Sequence, residues 1–267
     1  MKPIIKWTVQ ARRLSILWWI LGIIAYVVLE LAFYPSIRDQ AAELEKSFSS
    51  LSDSAIALFS DTGDFFSPVG YLSGQVFYLL MPMLLGILAI GAGASLVGRE
   101  EREGTLELLL SRPISRSRLM AAKAVTGIFI IAVVGLVGGL ATAVMSKLVD
   151  LPIPFGNIML AGVASTVLAI SFGSVAFMIT MLGRSARVAS VGLSSLVALA
   201  GYLLTSLASN VSWLSGPSKV FPFAYYHPAE ILEGNYNWLN MLFIVGVIAL
   251  CGVVSWIAFR RRDLISS

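Results

Sequence analysis

An all-α, polytopic membrane fold is predicted by three observations: six long apolar stretches, the near absence of charge within them, and basic loops that alternate with loops almost free of Lys and Arg. The stretches run roughly over 14–34, 70–97, 119–146, 157–182, 188–209 and 238–259, each close to or above the ~20 residues that a bilayer asks of a helix. Only Glu30 and Lys123 interrupt them, both near span ends. A charge at mid-bilayer costs roughly 2.5–3.5 kcal/mol on insertion scales, so six such segments do not arise by accident in a soluble core.

The basic residues set the expected orientation. Fifteen of the 19 Lys and Arg lie before the first span, between the second and third, between the fourth and fifth, and after the sixth; only Arg38, Lys46, Lys147 and Lys219 lie on the other side. The positive-inside rule then predicts that both termini are cytoplasmic. The net charge of +4 is therefore a topological signal and not the footprint of a nucleic-acid partner. Six spans use more than half of the 267 residues, which predicts one membrane domain over 1–267. The first apolar run is long and no small-residue cleavage pattern follows it, as expected of a retained span. Cys251, the single cysteine, allows no internal disulfide and no multi-cysteine metal site, and reads as a small buried apolar residue.

Taken in order, residues 1–13 place Lys2, Lys6, Gln10 and Arg13 on one helical face, with Ile4, Ile5, Trp7 and Ala11 mostly opposite. This is the pattern of a helix lying in the membrane interface with its cations toward anionic lipid; the plainer reading is a basic topogenic tail. In the outer segment 35–69, Ile37, Ala41, Leu44, Phe48, Leu51, Ala55 and Leu58 recur every three or four residues. That periodicity predicts an amphipathic helix of several turns, its stripe covering either the outer ends of the spans or the same helix in a second copy. The outer segment 210–237 is dense in proline and aromatics and holds the one histidine, His227. It predicts a shallow, partly re-entrant element, with Pro222, Phe223, Tyr225 and Tyr226 as the candidate outer gate.

Segment 99–118 carries the richest chemistry. As a helix, Glu100, Glu103 and Glu107 form an acidic stripe and Leu106, Leu109 and Leu110 an apolar patch. Exposed leucines beside carboxylates suit docking into a groove on a partner, while a solvated turn that merely holds topology is the alternative. Gly104 weakens a continuous helix, so a docking element would begin there.

At these residues the chain resembles a known family. Glu-Arg-Glu-Gly-Thr-Leu-Glu-Leu-Leu-Leu-Ser-Arg-Pro-Ile-Ser-Arg over 101–116, followed by Lys123, is similar to the signature loop of type-2 ABC permeases, the membrane subunits of ATP-driven exporters. The likeness extends to Ser-Asp-Thr-Gly-Asp over 60–64 with Gly-Tyr-Leu over 70–72, to Phe-Pro-Phe-Ala-Tyr-Tyr-His-Pro over 221–228, and to Arg-Arg-Asp-Leu over 261–264. It implies six spans, an interfacial connecting helix, a coupling helix between the second and third spans and a re-entrant outer element before the sixth. Glu101, Gly104, Thr105 and Glu107 would then lie on the coupling helix and receive the movement of separate ATPase subunits. ATP and Mg would belong to those partners and no cofactor to this chain. Two copies, or this chain with a paralogue, would form the pathway in the plasma membrane of a prokaryote.

The sequence agrees with that division of labour, since it contains no Gly-x-x-x-x-Gly-Lys-Ser/Thr loop to cradle phosphates. Small residues in the spans, among them Gly86, Ala89, Gly93 and Ala94, Gly135 and Gly139, and Ser190, Ser194 and Gly201, predict close helix packing. In the family the second and fifth spans line the central cleft, which makes Gln75, Ser194, Ser195 and Thr205 the candidate pathway residues. Spans without a buried ion pair suit hydrophobic, amphiphilic or lipid-like cargo.

Other classes fit less well. An intramembrane metalloprotease would need ligands converging at depth, yet His227 and the pair Glu100 and Glu101 are predicted on opposite sides. A serine protease would need a base within the membrane, where only Lys123 is near. A secondary transporter or ion-extrusion permease, the runner-up, would use intramembrane ionisable groups, for which Glu30 is the sole candidate.

Overall fold

The computed structural model describes residues 2–48, 52–62, 64–96, 116–183 and 187–261. Among the described residues every regular element is helical. Six helices are long and apolar enough to cross a bilayer: Arg13–Asp39, Pro68–Ser95, Ser117–Leu148, Phe155–Leu182, Val188–Ala208 and Leu239–Arg260. They are the first to sixth long helices below. The end of the bundle that carries both chain ends is the terminal face.

The fourth long helix is the hub, packed against the second, third, fifth and sixth. Its sequence allows this because small residues, including Ala161, Gly162, Ala164, Ala169, Gly173 and Ala176, are buried along it. Two contacts are possible only with glycine. A Cβ at Gly93 on the second helix would lie 2.3 Å from the Gly173 carbonyl oxygen, and one at Gly135 on the third would lie 2.0 Å from Thr166 Oγ1. Hydroxyls inside the helices donate to carbonyls one turn earlier, as at Thr126, Thr142, Ser165, Thr166 and Thr180. Such bonds satisfy polar groups where water is absent. The first, fifth and sixth helices instead expose large apolar side chains, such as Trp18, Phe33, Leu196, Leu199, Leu242 and Leu250. That surface suits lipid or another chain and not water.

The second long helix contains a π-helical insert at Ser73–Tyr78. Pro82 explains its position. A proline has no N–H for the carbonyl four residues earlier, here that of Tyr78, and its ring crowds that carbonyl. The helix widens just upstream, as π-bulges do. Ser67 starts the helix, its Oγ accepting from the Gly70 N–H at 3.0 Å with Pro68 in the first turn.

Three expectations are corrected. The first span does not stop near Tyr34 but continues through Pro35 to Asp39, and Tyr71 supports the turn before that proline by donating to the Glu30 carbonyl at 2.8 Å. The amphipathic helix expected from Ile37 to Leu58 is not continuous. The first long helix ends at Asp39 and short helices follow at Ala41–Phe48 and Asp53–Ile56. The serines of this segment divert backbone partners: Ser47 Oγ donates to the Glu43 carbonyl, and Ser52 Oγ accepts from the Ala55 N–H. Finally, the amino-terminal helix Lys2–Ala11 ends before Arg13, which opens the first long helix. Thr8 in that short helix is buried, whereas Trp7 is exposed.

Candidate functional site

An apolar cavity of about 370 Å³ lies between the second, fourth and fifth long helices. This volume is within the ~300–1,000 Å³ of small-molecule sites. Leu79, Pro82, Met83 and Gly86 form its wall on the second helix, Phe172 on the fourth, and Ser195, Ala198, Leu199 and Tyr202 on the fifth. The space opens where the second helix carries a proline and a glycine below its π-helical insert. None of the lining residues carries a formal charge at neutral pH.

Aromatic rings roof the cavity at the end away from the terminal face. Tyr202 lies 5.5 Å from Phe223 and 6.0 Å from Tyr78 between ring centroids, and Phe223 lies 5.9 Å from both Tyr78 and Tyr226. The rings meet tilted or edge to face, the favoured arrangement of their quadrupoles. Their hydroxyls are tied down as well. Tyr226 donates to the Phe77 carbonyl at 2.8 Å and lies 2.5 Å from Ser165 Oγ; Tyr78 bonds Ser206 Oγ at 2.7 Å; Tyr202 donates to the Leu58 carbonyl. The roof is thus fixed to the second, fourth and fifth helices and to the segment after the first.

Asp61 joins that segment to the rest of the roof. Its Oδ1 accepts from Ser73 Oγ at 2.5 Å, at the start of the π-helical insert, and its Oδ2 accepts from the Ala229 N–H at 2.9 Å, in the first turn of the short helix Pro228–Glu233. A carboxylate is well placed at a helix N-terminus. Burial pushes the Asp61 carboxyl above the usual aspartate range, while the bonds from Ser73 and Ala229 and the nearby His227 pull it down. Because the folded pKa is raised, Asp61 contributes stability that is fully present below its unfolded pKa and is lost as pH rises through the folded one. Melting followed by tryptophan fluorescence should show a higher midpoint in mild acid than at neutral pH. Asp61→Asn, which retains a donor and an acceptor, should remove this component of the slope. Asp61→Ala leaves the buried Ala229 N–H unpaired and should cost roughly 1–3 kcal/mol; equal pH slopes in wild type and Asp61→Asn would dismiss the assignment.

At the terminal face, the amino-terminal helix is fastened to both stems of the loop that joins the second and third long helices. Arg12 Nη2 donates to Ser95 Oγ at 2.8 Å before the loop. After it, Lys123 Nζ donates to Thr8 Oγ1 at 3.3 Å and sits 5.6 Å from the centre of the Trp7 ring. Lys123 is only 2% exposed, so this span-end cation is a buried structural contact.

The sequence-derived candidates divide into several groups. Ser195 and Phe223 line the cavity. Ser194 and Thr205 carry buried hydroxyls without a hydrogen-bond partner among the described residues. Gln75 lies in the π-helical insert, and its carbonyl accepts from the Tyr26 hydroxyl. Pro222 and Tyr226 are buried in the roof, and Tyr225 stacks on Phe243 at 4.0 Å. Glu100, Glu101, Glu103, Gly104, Thr105, Leu106, Glu107 and Leu109 lie outside the described residues. Sequence reasoning missed Tyr78, Tyr202 and Asp61. Pro82, an isolated proline within an apolar run, was the visible signal for the distorted helix beside them.

The family model described as ABC-2 family transporter protein matches residues 5–264, nearly the whole chain. No curated protein matches it. Family membership implies association with ABC ATPase subunits, and the two fastened stems flank the segment where the signature loop lies. Six bilayer-length apolar helices and a family match over almost the full length lead to one conclusion: the chain belongs to the ABC-2 transporter family, as a multi-pass membrane permease subunit of an ABC transporter.

Proposed function

We propose that this permease exports a hydrophobic or amphiphilic molecule, a drug, peptide or lipid-like compound, by alternating access driven by separate ATPase subunits that bind ATP and Mg. The observation that carries this reading is the roofed cavity, apolar and without a charged lining residue. Such a site gains from burying apolar surface and offers no charge to offset the dehydration of an ion. The exposed apolar faces of the first and fifth helices suit a second permease copy or a close paralogue, and the cavity would then open toward that interface. The asymmetry of basic residues supports a topology with both termini in the cytoplasm, and the family likeness supports the plasma membrane of a prokaryote as the setting.

The test is to fill the cavity. Ala198→Trp should lower transport of an amphiphilic substrate by about tenfold or more, the equivalent of losing only ~1.4 kcal/mol of cargo binding, and should reduce amphiphile-stimulated ATPase activity in lipid. Transport at the wild-type rate by a well-folded Ala198→Trp complex would place the route elsewhere. Stimulation by a specific ion, lost in Glu30→Gln, would instead support ion extrusion. Orientation is checked separately in a Cys251→Ser background. Cysteines at Ser52 and Asn235 should react with an impermeant maleimide in intact cells while those at Ser115 and Ser266 stay protected; outside labelling at Ser115 would invert the topology.

A further inference from the structure

A second apolar cavity, of about 120 Å³, lies between the second, third, fourth and sixth long helices. It shares no lining residue with the roofed cavity and sits nearer the terminal face. Its inner walls are small residues, among them Ala92, Gly93, Ala124 and Gly173. Its mouth is formed by Ile128 and Gly252, both exposed, so it opens on the flank of the bundle between the third and sixth helices. Toward the terminal face, Met120, Phe177, Met181 and Phe259 pack into a separate buried cluster. That cluster joins the ends of the third, fourth and sixth helices and leaves the flank as the way in.

The surroundings of the mouth specify what enters. Trp256, exposed one turn beyond Gly252, carries the Arg260 guanidinium 4.7 Å from its ring centre. Arg118, also exposed, stands at the start of the third helix, two residues from Met120 of the buried cluster. A tryptophan with cations at the end of an apolar helix marks headgroup depth. From Gly252 to Arg260 the sixth helix rises about 12 Å at 1.5 Å per residue. The flank therefore offers an apolar slot at depth and guanidinium groups at the surface. A molecule that satisfies both has a long apolar tail and an anionic head.

We propose that this flank cavity takes a short stretch of an acyl chain of an anionic phospholipid from the leaflet at the terminal face, with the rest of the chain along the flank and the headgroup phosphate held by Arg118 and Arg260. The site is separate from the cargo route and stands whether or not cargo uses the roofed cavity. Gly252 is its doorway. A Cβ there meets no atom within 4 Å, in contrast to Gly93 and Gly173, whose added Cβ atoms would press on backbone. A larger side chain at Gly252 therefore fills the mouth without displacing the helices.

The experiment uses the full chain in nanodiscs that contain phosphatidylglycerol with a photoactivatable group in its acyl chain, with the matched phosphatidylcholine probe as comparison. Crosslinks mapped by mass spectrometry should concentrate on the peptides that contain Ile128 and Gly252. The anionic probe should be favoured by about fivefold for each guanidinium engaged. Gly252→Leu should cut the labelling several-fold, and Arg260→Gln, a surface change that leaves the cavity intact, should remove about fivefold of the headgroup preference. Crosslinks spread evenly over all six helices would overturn the proposal, as would unchanged labelling in a monodisperse Gly252→Leu sample. Equal labelling by the two probes would overturn the anionic headgroup. Displacement of the phospholipid probe by a transported amphiphile would assign the cavity to cargo and overturn the proposal too.

Discussion

Reversal of charge at Glu101 and Glu107, or replacement of Leu106 and Leu109 by Ser, is expected to abolish transport while leaving the permease folded in the membrane. The acidic stripe and leucine patch of segment 99–118 have the composition of a docking element for a groove on an ATPase. Loss of a desolvated charge contact across an interface costs on the order of 2–5 kcal/mol, whereas an exposed ion pair contributes about 0–1 kcal/mol. The lower bound of the first range already weakens binding by about 30-fold. Copurification of the ATPase with tagged permease and transport in proteoliposomes read the two effects separately. Mutants that retain both at wild-type levels would return the loop to a cytoplasmic charge cluster.

The second large effect concerns two glycines two residues apart on the same helix. Gly93→Ala is expected to destabilise the permease by ~3 kcal/mol or more, because its Cβ would lie 2.3 Å from the Gly173 carbonyl oxygen and 3.0 Å from the Phe177 nitrogen. Backbone on both sides cannot move aside as a side chain would, so the second and fourth long helices must separate. Gly91→Ala is the control. No atom lies within 4 Å of its added Cβ, so the change should be neutral or stabilise by up to about 1 kcal/mol through helix propensity. Thermal melting of the two variants in the same detergent provides the comparison, and equal midpoints would mean that the helices are not in the contact described.

The two glycines also mark how far the sequence could be read. Gly93 was legible as a packing residue because it sits with Gly86, Ala89 and Ala94 on an apolar span, where small side chains have little other purpose. The six helices were legible for the same reason: bilayer length and missing charge are properties of contiguous residues. The roof of the cavity was only half legible. Phe223 and Tyr226 stood out in a dense aromatic segment, but Tyr78 and Tyr202 lie in spans already rich in apolar residues, where a tyrosine is unremarked until its hydroxyl finds a partner. Asp61 and Ala229 are 168 residues apart in the chain, and no local pattern announces such a pair. The break in the helix expected from Ile37 to Leu58 has a local contribution from Ser52, whose Oγ accepts from the Ala55 N–H and which the apolar periodicity masked.

The fastening of the amino-terminal helix has an entropic consequence for assembly. With Arg12 bonded to Ser95 on one side and Thr8 and Trp7 on Lys123 on the other, the two points where the loop over 97–115 enters and leaves the bundle are held at a fixed separation. The freedom lost on closing a loop grows only slowly with its length, as (3/2)RT ln n, and here it is surrendered when the permease folds. A partner that docks between the stems meets them already in place. Removal of the first twelve residues would transfer the ordering of both stems to the binding step, and the penalty would register in the affinity of the ATPase even though none of those residues need touch it.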